Sequence, residues 1–214
     1  MSMHFIFLII LGVVSLVYLI TLFFKASIFQ YVLKGFLIPL ILAVYLTGAD
    51  IILLPIILAL VFAWIGDVAL IKIDNLLCFR IGLASFLIGH IFYIIAMFEY
   101  AVPLHYTALI ISILIGIAYG FLLMKVVKPT AEMKIPVIVY TSIILIMAIS
   151  SLQLFLSQGG LFGILVFTGS LCFVASDSSL AMVTFRKKPY YVFCMTTYIA
   201  AQLLIALGFC QLTV

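Results

Sequence analysis

Two aspartates interrupt apolar runs of the chain, and each is followed three residues later by a leucine. Asp67 lies within Phe62–Leu70 (FAWIGDVAL) and Asp177 lies within Phe173–Leu180 (FVASDSSL). A carboxyl group in apolar surroundings is costly unless it is paired or protonated, so such residues usually mark functional sites. Two carboxyl groups can divide acid–base work, one giving a proton and the other taking one. We therefore take Asp67 and Asp177 as the candidate catalytic pair.

The composition of the chain places these aspartates in a membrane. Of the 214 residues, 69% are hydrophobic and 7% are charged, whereas soluble domains carry roughly 25% charged residues. We expect an integral membrane protein with several spans. Its net charge of +4 then relates to loop topology, and no nucleic-acid partner is expected. The four cysteines form no CxxC pair, and we interpret them as small apolar residues without disulfides.

Eight apolar segments approach the length of about 20 residues that a transmembrane helix needs. The connections between them are short and leave no room for a domain outside the membrane. The sequence therefore predicts an all-α fold, in which residues 1–214 form a single integral membrane domain, a bundle of eight transmembrane helices. The predicted spans are approximately residues 4–24, 31–47, 51–71, 79–98, 104–124, 135–156, 161–184 and 190–211.

The basic residues predict the orientation of this bundle. All ten fall on odd-numbered connections, which face the cytoplasm by the positive-inside rule. The N- and C-termini then lie on the outer side, and both aspartates lie in the cytoplasmic half of the membrane. We expect the cytoplasmic (inner) membrane of a bacterium. The ten residues are Lys25, Lys34, Lys72, Arg80, Lys125, Lys128, Lys134, Arg186, Lys187 and Lys188.

A four-plus-four internal repeat is a further prediction. The two aspartates lie four spans apart, on spans that run in the same direction. Lys34 and Pro39 open span two, and Lys134 and Pro136 open span six. A parallel duplication of four spans explains both correspondences, although the rest of the two halves does not align by eye.

Other polar side chains lie at a similar depth in the predicted spans. We expect them to converge with the two aspartates on one cavity, open toward the cytoplasmic leaflet. In that cavity they would position substrate or water. These residues are Lys34, His90, Tyr93, Tyr140, Ser176, Tyr198 and Gln202.

Several of these residues also have a structural interpretation. Asp67 could pair with Lys34 as a clamp between helices, and Asp177 could pair with a tyrosine or glutamine. Lys34 could instead extend its ammonium group to the interface, and His90 could be a hydrogen-bonded packing residue. A metal site built from His90 and the two aspartates has few ligands and no recognisable spacing. Because both aspartates share one short pattern and one half of the membrane, we favour function over the clamp.

Short motifs on six of the predicted spans occur in a fixed order. They are Lys34 with Pro39; Phe62…Gly66-Asp67-x-x-Leu70; Gly82…Phe86…His90…Tyr93; Pro136…Tyr140; Gly169…Phe173…Ser176-Asp177-x-x-Leu180; and Tyr198…Gln202. In this order they resemble the lysoplasmalogenase (YhhN-like) family of eight-span membrane proteins, and the likeness covers nearly the whole chain. The chain departs from that pattern at Gly35, where the family would have a proline directly after the lysine.

The resemblance implies an activity. Members of the family hydrolyse the vinyl ether bond of lysoplasmalogens to a fatty aldehyde and glycerophosphoethanolamine or glycerophosphocholine, with no metal or organic cofactor. Vinyl ethers are cleaved by protonation of the β-carbon, which needs an acid that holds its proton near neutral pH. A carboxyl group withdrawn from water near a second carboxylate meets that need. We hypothesise that Asp67 and Asp177 share this work, with their individual roles open, and that Lys34 meets the phosphate.

The partners implied are a lysophospholipid substrate and the membrane lipids, with the oligomeric state left open. Two other classes of function would use the same residues. A small proton-coupled transporter or lipid carrier needs intramembrane carboxylates, and release of aldehyde in detergent, where no gradient exists, would argue against it. A non-catalytic scaffold would tolerate asparagine at both aspartates.

Overall fold

A computed structural model describes residues 2–24, 27–72 and 75–213, and within these ranges the chain forms eight α-helices. Each helix is long and apolar enough to cross a membrane, the third together with the short 3-10 turn Leu70–Lys72 that continues it, which confirms the all-α prediction and the count of eight spans. The chain is an integral membrane protein. The helices are α1 (Met3–Thr21), α2 (Ile28–Gly48), α3 (Leu54–Ala69), α4 (Leu76–Tyr100), α5 (Tyr106–Val127), α6 (Ala131–Gln158), α7 (Gly160–Arg186) and α8 (Tyr191–Phe209).

The helices differ from the predicted spans mainly at their ends. Helix α4 begins three residues before the predicted span because the side chain of Asn75 accepts hydrogen bonds from the backbone N–H groups of Leu77 and Cys78, at 2.9 and 3.1 Å. Such polar caps satisfy the free N–H groups of a first helical turn. Hydropathy does not register this cap, so the fourth predicted span begins too late.

A hydrogen bond joins helices α2 and α3 beside the polar centre of the bundle. It satisfies a backbone carbonyl that a proline in α2 leaves without its helical donor. Pro39 lies inside α2 and has no backbone N–H, so the carbonyl of Gly35, four residues earlier, loses its usual helical donor. The indole Nε1 of Trp64 on α3 donates to that carbonyl at 2.9 Å. This bond fixes α2 against α3 one residue away from Lys34.

Two helix pairs, α3 with α4 and α7 with α8, make the most extensive contacts in the described part of the bundle. A glycine lies at each crossing. A Cβ added to Gly89 would lie 3.1 Å from the carbonyl oxygen of Ala59, and one added to Gly169 would lie 3.0 Å from that of Ala201. Because neither glycine has a side chain, the backbones approach closely, as at other helix contacts in membranes. The two pairs bring the candidate residues of four helices to the centre.

Helix α5 is peripheral to the bundle. It contacts α6 and, less extensively, α7, and its buried residues are Gly116 and Val127. Its other apolar residues are exposed or half-buried, as expected for a helix that faces lipid. An apolar groove therefore remains between α5 and α6.

Several polar residues mark one end of the bundle, which we call the basic end. Arg80 at the start of α4 pairs with Glu132 at the start of α6, with 3.3 Å between its guanidinium nitrogen and the carboxylate. Lys125, Lys128 and Lys134 lie around the connection from α5 to α6. Lys25 lies outside the described residues. The assignment of this end to the cytoplasm, the outer position of both termini, the repeat and the single domain all stay predictions.

Candidate active site

Asp67 on α3 and Asp177 on α7 line one cavity inside the bundle, with an empty volume of ≈ 360 Å³. We call it the carboxylate cavity. Its walls come from α2, α3, α4, α7 and α8, and they include Lys34, Ser176 and Tyr198. The two aspartates of the sequence pattern, 110 positions apart in the printed sequence, therefore meet at one space.

Asp67 is held by two charged or polar neighbours. The Nζ atom of Lys34 lies 3.5 Å from its Oδ1, and the hydroxyl of Tyr198 donates to its Oδ2 at 2.7 Å. Asp67 and Lys34 are both buried, with 3% and 5% of their surfaces exposed. An ammonium group and a hydroxyl donor at these positions stabilise the carboxylate form. This contact is the one expected of a helix clamp, and it also fits a charged catalytic group.

A chain of hydrogen bonds continues behind Tyr198. The side-chain amide of Gln202 donates to the Tyr198 hydroxyl at 3.4 Å, and the hydroxyl of Tyr93 donates to the amide oxygen of Gln202 at 2.6 Å. All three side chains are buried. Sequence reasoning placed Tyr93 and Gln202 with groups that touch substrate or water. In the structure Gln202 lies one hydrogen bond behind Tyr198 and Tyr93 lies two behind, where they orient Tyr198 toward Asp67.

Asp177 has different neighbours. The hydroxyl of Tyr140 donates to its Oδ2 at 3.0 Å, and Nε2 of His90 lies 3.9 Å from the same oxygen. Asp177 is half-buried. No lysine or arginine in the described ranges forms an ion pair with it. The two carboxyl groups therefore face partners of different charge.

The hydrogen bond of Nδ1 of His90 determines whether Nε2, which faces Asp177, is a donor or an acceptor. Nδ1 lies 2.6 Å from the carbonyl oxygen of Phe86, and a carbonyl only accepts, so Nδ1 carries the hydrogen. In a neutral ring Nε2 is then the acceptor. Nε2 has no hydrogen-bond partner among the described residues. A proton between Nε2 and the Asp177 carboxyl group would relieve the repulsion of two facing lone pairs.

Ser176 joins α7 to α8. Its hydroxyl donates to the backbone carbonyl of Cys194 at 3.0 Å. Ser176 and Asp177 are neighbours in the sequence, and both line the carboxylate cavity. The described hydrogen bond of Ser176 serves helix association, while Asp177 accepts a hydrogen bond from Tyr140 on α6.

Two aromatic residues of the site were not among the predicted site residues. The ring of Phe173 contacts those of His90, Tyr198 and Tyr93, with centroids 4.9, 6.0 and 6.1 Å away. Phe86 packs edge-on against Tyr198 and lines the carboxylate cavity. Spacing offered a signal, because Phe86 precedes His90 by four residues and Phe173 precedes Asp177 by four, which puts each pair on one helix face.

A second space also reaches Asp177. This apolar cavity, with an empty volume of ≈ 510 Å³, lies between α4, α5, α6 and α7, and it shares Asp177 and Leu180 with the carboxylate cavity. Inside it the side chains of Tyr119 and Ser178 form a hydrogen bond of 2.6 Å. Asp177 thus stands between a polar space and an apolar one. Little in the sequence indicated this cavity, because the residues of α5 that line it are Tyr119 and Leu123, and neither carries a charge.

The arrangement suits acid–base chemistry on an amphipathic molecule. Carboxyl groups in different surroundings can hold different protonation states at one pH, which separates an acid from a base. Asp67 has a cation at contact and Asp177 has neutral partners. The described residues contain no cluster of three histidine, cysteine, aspartate or glutamate side chains placed to hold a metal ion. The expectation of no cofactor stays a prediction.

Eight apolar helices around a buried polar cavity define a polytopic membrane protein with an intramembrane site. The chain belongs to the YhhN family, whose sequence profile matches residues 29–209, and this confirms the family predicted from the motifs. It is 37% identical over 152 residues to human lysoplasmalogenase TMEM86B, an alignment that covers 70% of this chain and 61% of the relative. The chain thus spans about three fifths of the length of that curated relative. No solved structure matches it.

Proposed function

We propose that this protein hydrolyses the vinyl ether bond of lysoplasmalogens within the membrane, giving a fatty aldehyde and glycerophosphoethanolamine or glycerophosphocholine. Family membership and the likeness to a lysoplasmalogenase support this reaction. The observation that carries the proposal is that Asp67 and Asp177 line one cavity with partners of different charge. The matched family lends no support to a transporter. A bacterial inner membrane remains the proposed location.

Asp177 is the acid in this proposal and Asp67 is the charged partner. The ammonium group of Lys34 lies against Asp67 and keeps it a carboxylate. Asp177 lies beside the phenol of Tyr140 and the acceptor nitrogen of His90. Both neighbours are neutral, so neither holds the Asp177 carboxyl group in its ionised form as a cation would. Asp177 also borders the apolar cavity, where the hydrocarbon next to the ether oxygen would lie. A proton on Asp177 is therefore next to the carbon that must receive it.

The first step breaks the carbon–carbon double bond. The Asp177 carboxyl group gives its proton to the β-carbon of the vinyl ether, and the ether oxygen shares its electrons with the α-carbon as an oxocarbenium ion. Asp177 is left as a carboxylate. Two carboxylates now flank a cation, and this electrostatic stabilisation lowers the barrier. Glycoside hydrolysis uses two carboxylates around a similar cation, and the likeness concerns roles alone.

Water completes the reaction. It adds to the α-carbon and loses a proton to Asp67, which yields a neutral hemiacetal. The hemiacetal then collapses: its hydroxyl proton passes to Asp177, the carbon–oxygen bond to glycerol breaks, and Asp67 returns its proton to the leaving oxygen. Both aspartates recover their starting states, and one water molecule is consumed.

The remaining polar residues position this pair. Tyr140 and His90 orient Asp177, while Tyr198 and Lys34 hold Asp67 from two sides. The contact of Lys34 with a phosphate, expected from the family resemblance, is untested, and we assign Lys34 to Asp67 instead. In the structure its ammonium group is occupied by Asp67, so another source of positive charge near the basic end is needed for the headgroup.

An assay of purified protein in detergent tests the proposal. Wild-type protein should release aldehyde from a lysoplasmenyl lipid and should leave the matching alkyl ether and ester lysolipids intact. Asp177→Asn and Asp67→Asn should each lose at least about a hundredfold in kcat, the usual contribution of acid–base groups. Asp50→Asn, in the exposed connection between α2 and α3, is the control. Wild-type turnover in either aspartate variant of the cavity would overturn the paired mechanism.

A further inference from the structure

The surface between α5 and α6 contains an apolar groove that opens outward. We call it the α5–α6 groove; its empty volume is ≈ 1080 Å³, and its lining includes Gly116, Gly120, Phe121, Thr141 and Leu145. The glycines on α5 leave this space free, since a Cβ at Gly120 would approach Leu145 no closer than 3.7 Å. The groove opens on the face of two membrane-spanning helices, where lipid tails lie.

The groove connects to the candidate active site through shared walls. Thr141 and Leu145 line both the α5–α6 groove and the apolar cavity. Asp177 in turn lines both the apolar cavity and the carboxylate cavity. The three spaces are therefore adjacent and separated by these shared side chains, and together they lie between the lipid-facing surface and Asp177.

The groove ends in positive charge at the basic end. Lys125, Lys128 and Lys134 line a space of ≈ 650 Å³ empty volume, which we call the lysine pocket. Lys134 and Phe121 line both this pocket and the groove. The ammonium group of Lys125 lies 4.5 Å from the centre of the Phe121 ring.

The lysine pocket has no acidic partner among the described residues. Within the described ranges none of its three lysines forms an ion pair, and the nearby Glu132 is engaged by Arg80. Three ammonium groups at the end of an apolar groove match the phosphate and single chain of a lysophospholipid. The distance between the lysine pocket and Asp177 along α6 also fits such a lipid. Tyr140, which donates a hydrogen bond to Asp177, follows Lys134 by six residues, roughly 9 Å of helix.

We propose that the lysine pocket and the α5–α6 groove form the docking site for the lysophospholipid, with its phosphate among the three lysines and its chain in the groove. This inference rests on the proposed function, since it names how that substrate reaches Asp177. The glycerol unit separates the phosphate from the ether bond, so the bond next to the headgroup lies near the level of Asp177. The phosphate contact comes from the lysine pocket, and Lys34 remains with Asp67.

Kinetics with two substrates test the phosphate contact. A lysoplasmenyl phospholipid is compared with a 1-alkenylglycerol that lacks the phosphate. Lys125→Gln with Lys134→Gln should raise KM for the phospholipid about tenfold, as expected for lost charge-assisted hydrogen bonds, with kcat and the alkenylglycerol kinetics unchanged. Arg186→Gln with Lys188→Gln removes two charges near α7 outside the pocket and should change neither KM. An equal rise of KM for both substrates would overturn the phosphate contact.

A pair of glycine variants tests the groove. Gly120→Phe should fill it and lower kcat/KM for both substrates, whereas Gly12→Phe on α1, where a Cβ meets nothing within 4 Å, should have no effect. Unchanged kinetics in Gly120→Phe would overturn the groove as the docking site. If that variant instead separated a dimer in size-exclusion chromatography with light scattering, the face would belong to a second copy of this chain.

A binding measurement separates this inference from the proposed function. An alkyl ether lysophospholipid, which carries no vinyl ether bond, is titrated into Asp177→Asn protein by isothermal calorimetry in detergent. Binding that weakens about tenfold with the lysine pair replaced supports the docking site even if no lipid is hydrolysed. Binding that is indifferent to these lysines and to Gly120→Phe would overturn the docking site even if wild-type protein releases aldehyde.

Discussion

Nε2 of His90 lies 3.9 Å from Oδ2 of Asp177 and has no hydrogen-bond partner among the described residues. The opposite nitrogen is fixed on the carbonyl of Phe86, so the ring cannot turn its hydrogen toward the carboxyl group without losing that bond. The distance is too long for a direct hydrogen bond and short enough for a small movement to make one. His90 is thus placed to orient the Asp177 proton without carrying a permanent charge there.

Replacing His90 should therefore slow the chemistry more than it weakens binding. His90→Phe keeps a ring of similar shape but removes the acceptor, and we expect kcat to fall roughly ten- to a hundredfold, the range seen when an orienting partner is lost, with KM nearly unchanged. Steady-state kinetics of aldehyde release measure both constants. His105→Gln, at the exposed start of α5, is the control. A rise in KM at constant kcat would show that His90 contacts substrate instead.

The buried pair of Lys34 and Asp67 should couple stability to activity. Lys34→Met leaves the Asp67 carboxylate without its cation, and breaking such a pair costs about 3–5 kcal/mol, which should lower the midpoint of thermal unfolding in detergent. Lys34→Met with Asp67→Leu replaces both charges by apolar groups and should recover most of the loss. Both variants should be inactive in the aldehyde assay, because Lys34→Met removes the cation that keeps Asp67 ionised and the double variant has no carboxyl group at position 67.

A stable, active Lys34→Met protein would contradict the charged role of Asp67. The expected result for the double variant is that stability recovers and activity does not. It separates the helix clamp from the catalytic role, because a clamp alone predicts that restored folding restores turnover.

The eight spans could be predicted from the sequence, and the two aspartates could be singled out as candidates, because both signals are local. An apolar run of a given length needs no partner to be recognised, and a carboxyl group such as Asp177 within one is conspicuous. The partners of these groups depend on how helices cross. Ser176 and Asp177 are adjacent, yet Ser176 bonds to α8 and Asp177 to α6. Nothing in the local pattern separates these directions.

The sequence did not predict the cavities and the groove, or the side chains that contact the partners of the two aspartates. The hydrogen bonds from Tyr93 through Gln202 to Tyr198 were not foreseen, since polarity gives depth in a span but not rotation about the helix; the substrate- or water-positioning role of Tyr93 and Gln202 stays a prediction. The α5–α6 groove arises because α5 is peripheral to the bundle. The position of a helix in a bundle depends on its tertiary contacts, which the residues of α5 alone do not indicate. Phe173 was visible in a motif, but an aromatic residue in an apolar span is ordinary until its neighbours are known.

The hydrogen bond from Trp64 to the carbonyl of Gly35 predicts that the effect of replacing Trp64 on stability depends on Pro39. Trp64→Phe removes the donor, and an unsatisfied carbonyl should cost about 1–3 kcal/mol in the free energy of unfolding. Pro39→Ala restores a backbone N–H to α2 that can reach the same carbonyl. Trp64→Phe should then cost markedly less in the Pro39→Ala background than in the wild type, a non-additivity that a double-mutant cycle measures.

Unfolding of the four proteins in one detergent, followed by circular dichroism, gives the cycle. Trp64→Phe should also reduce aldehyde release, because α2 carries Lys34 one residue from Gly35 and its position sets the distance to Asp67. The Pro39→Ala change should restore part of that activity along with stability. Strictly additive free energies would show that Trp64 acts through its ring surface at the lipid boundary, and the proline would then have no part in holding α2 to α3.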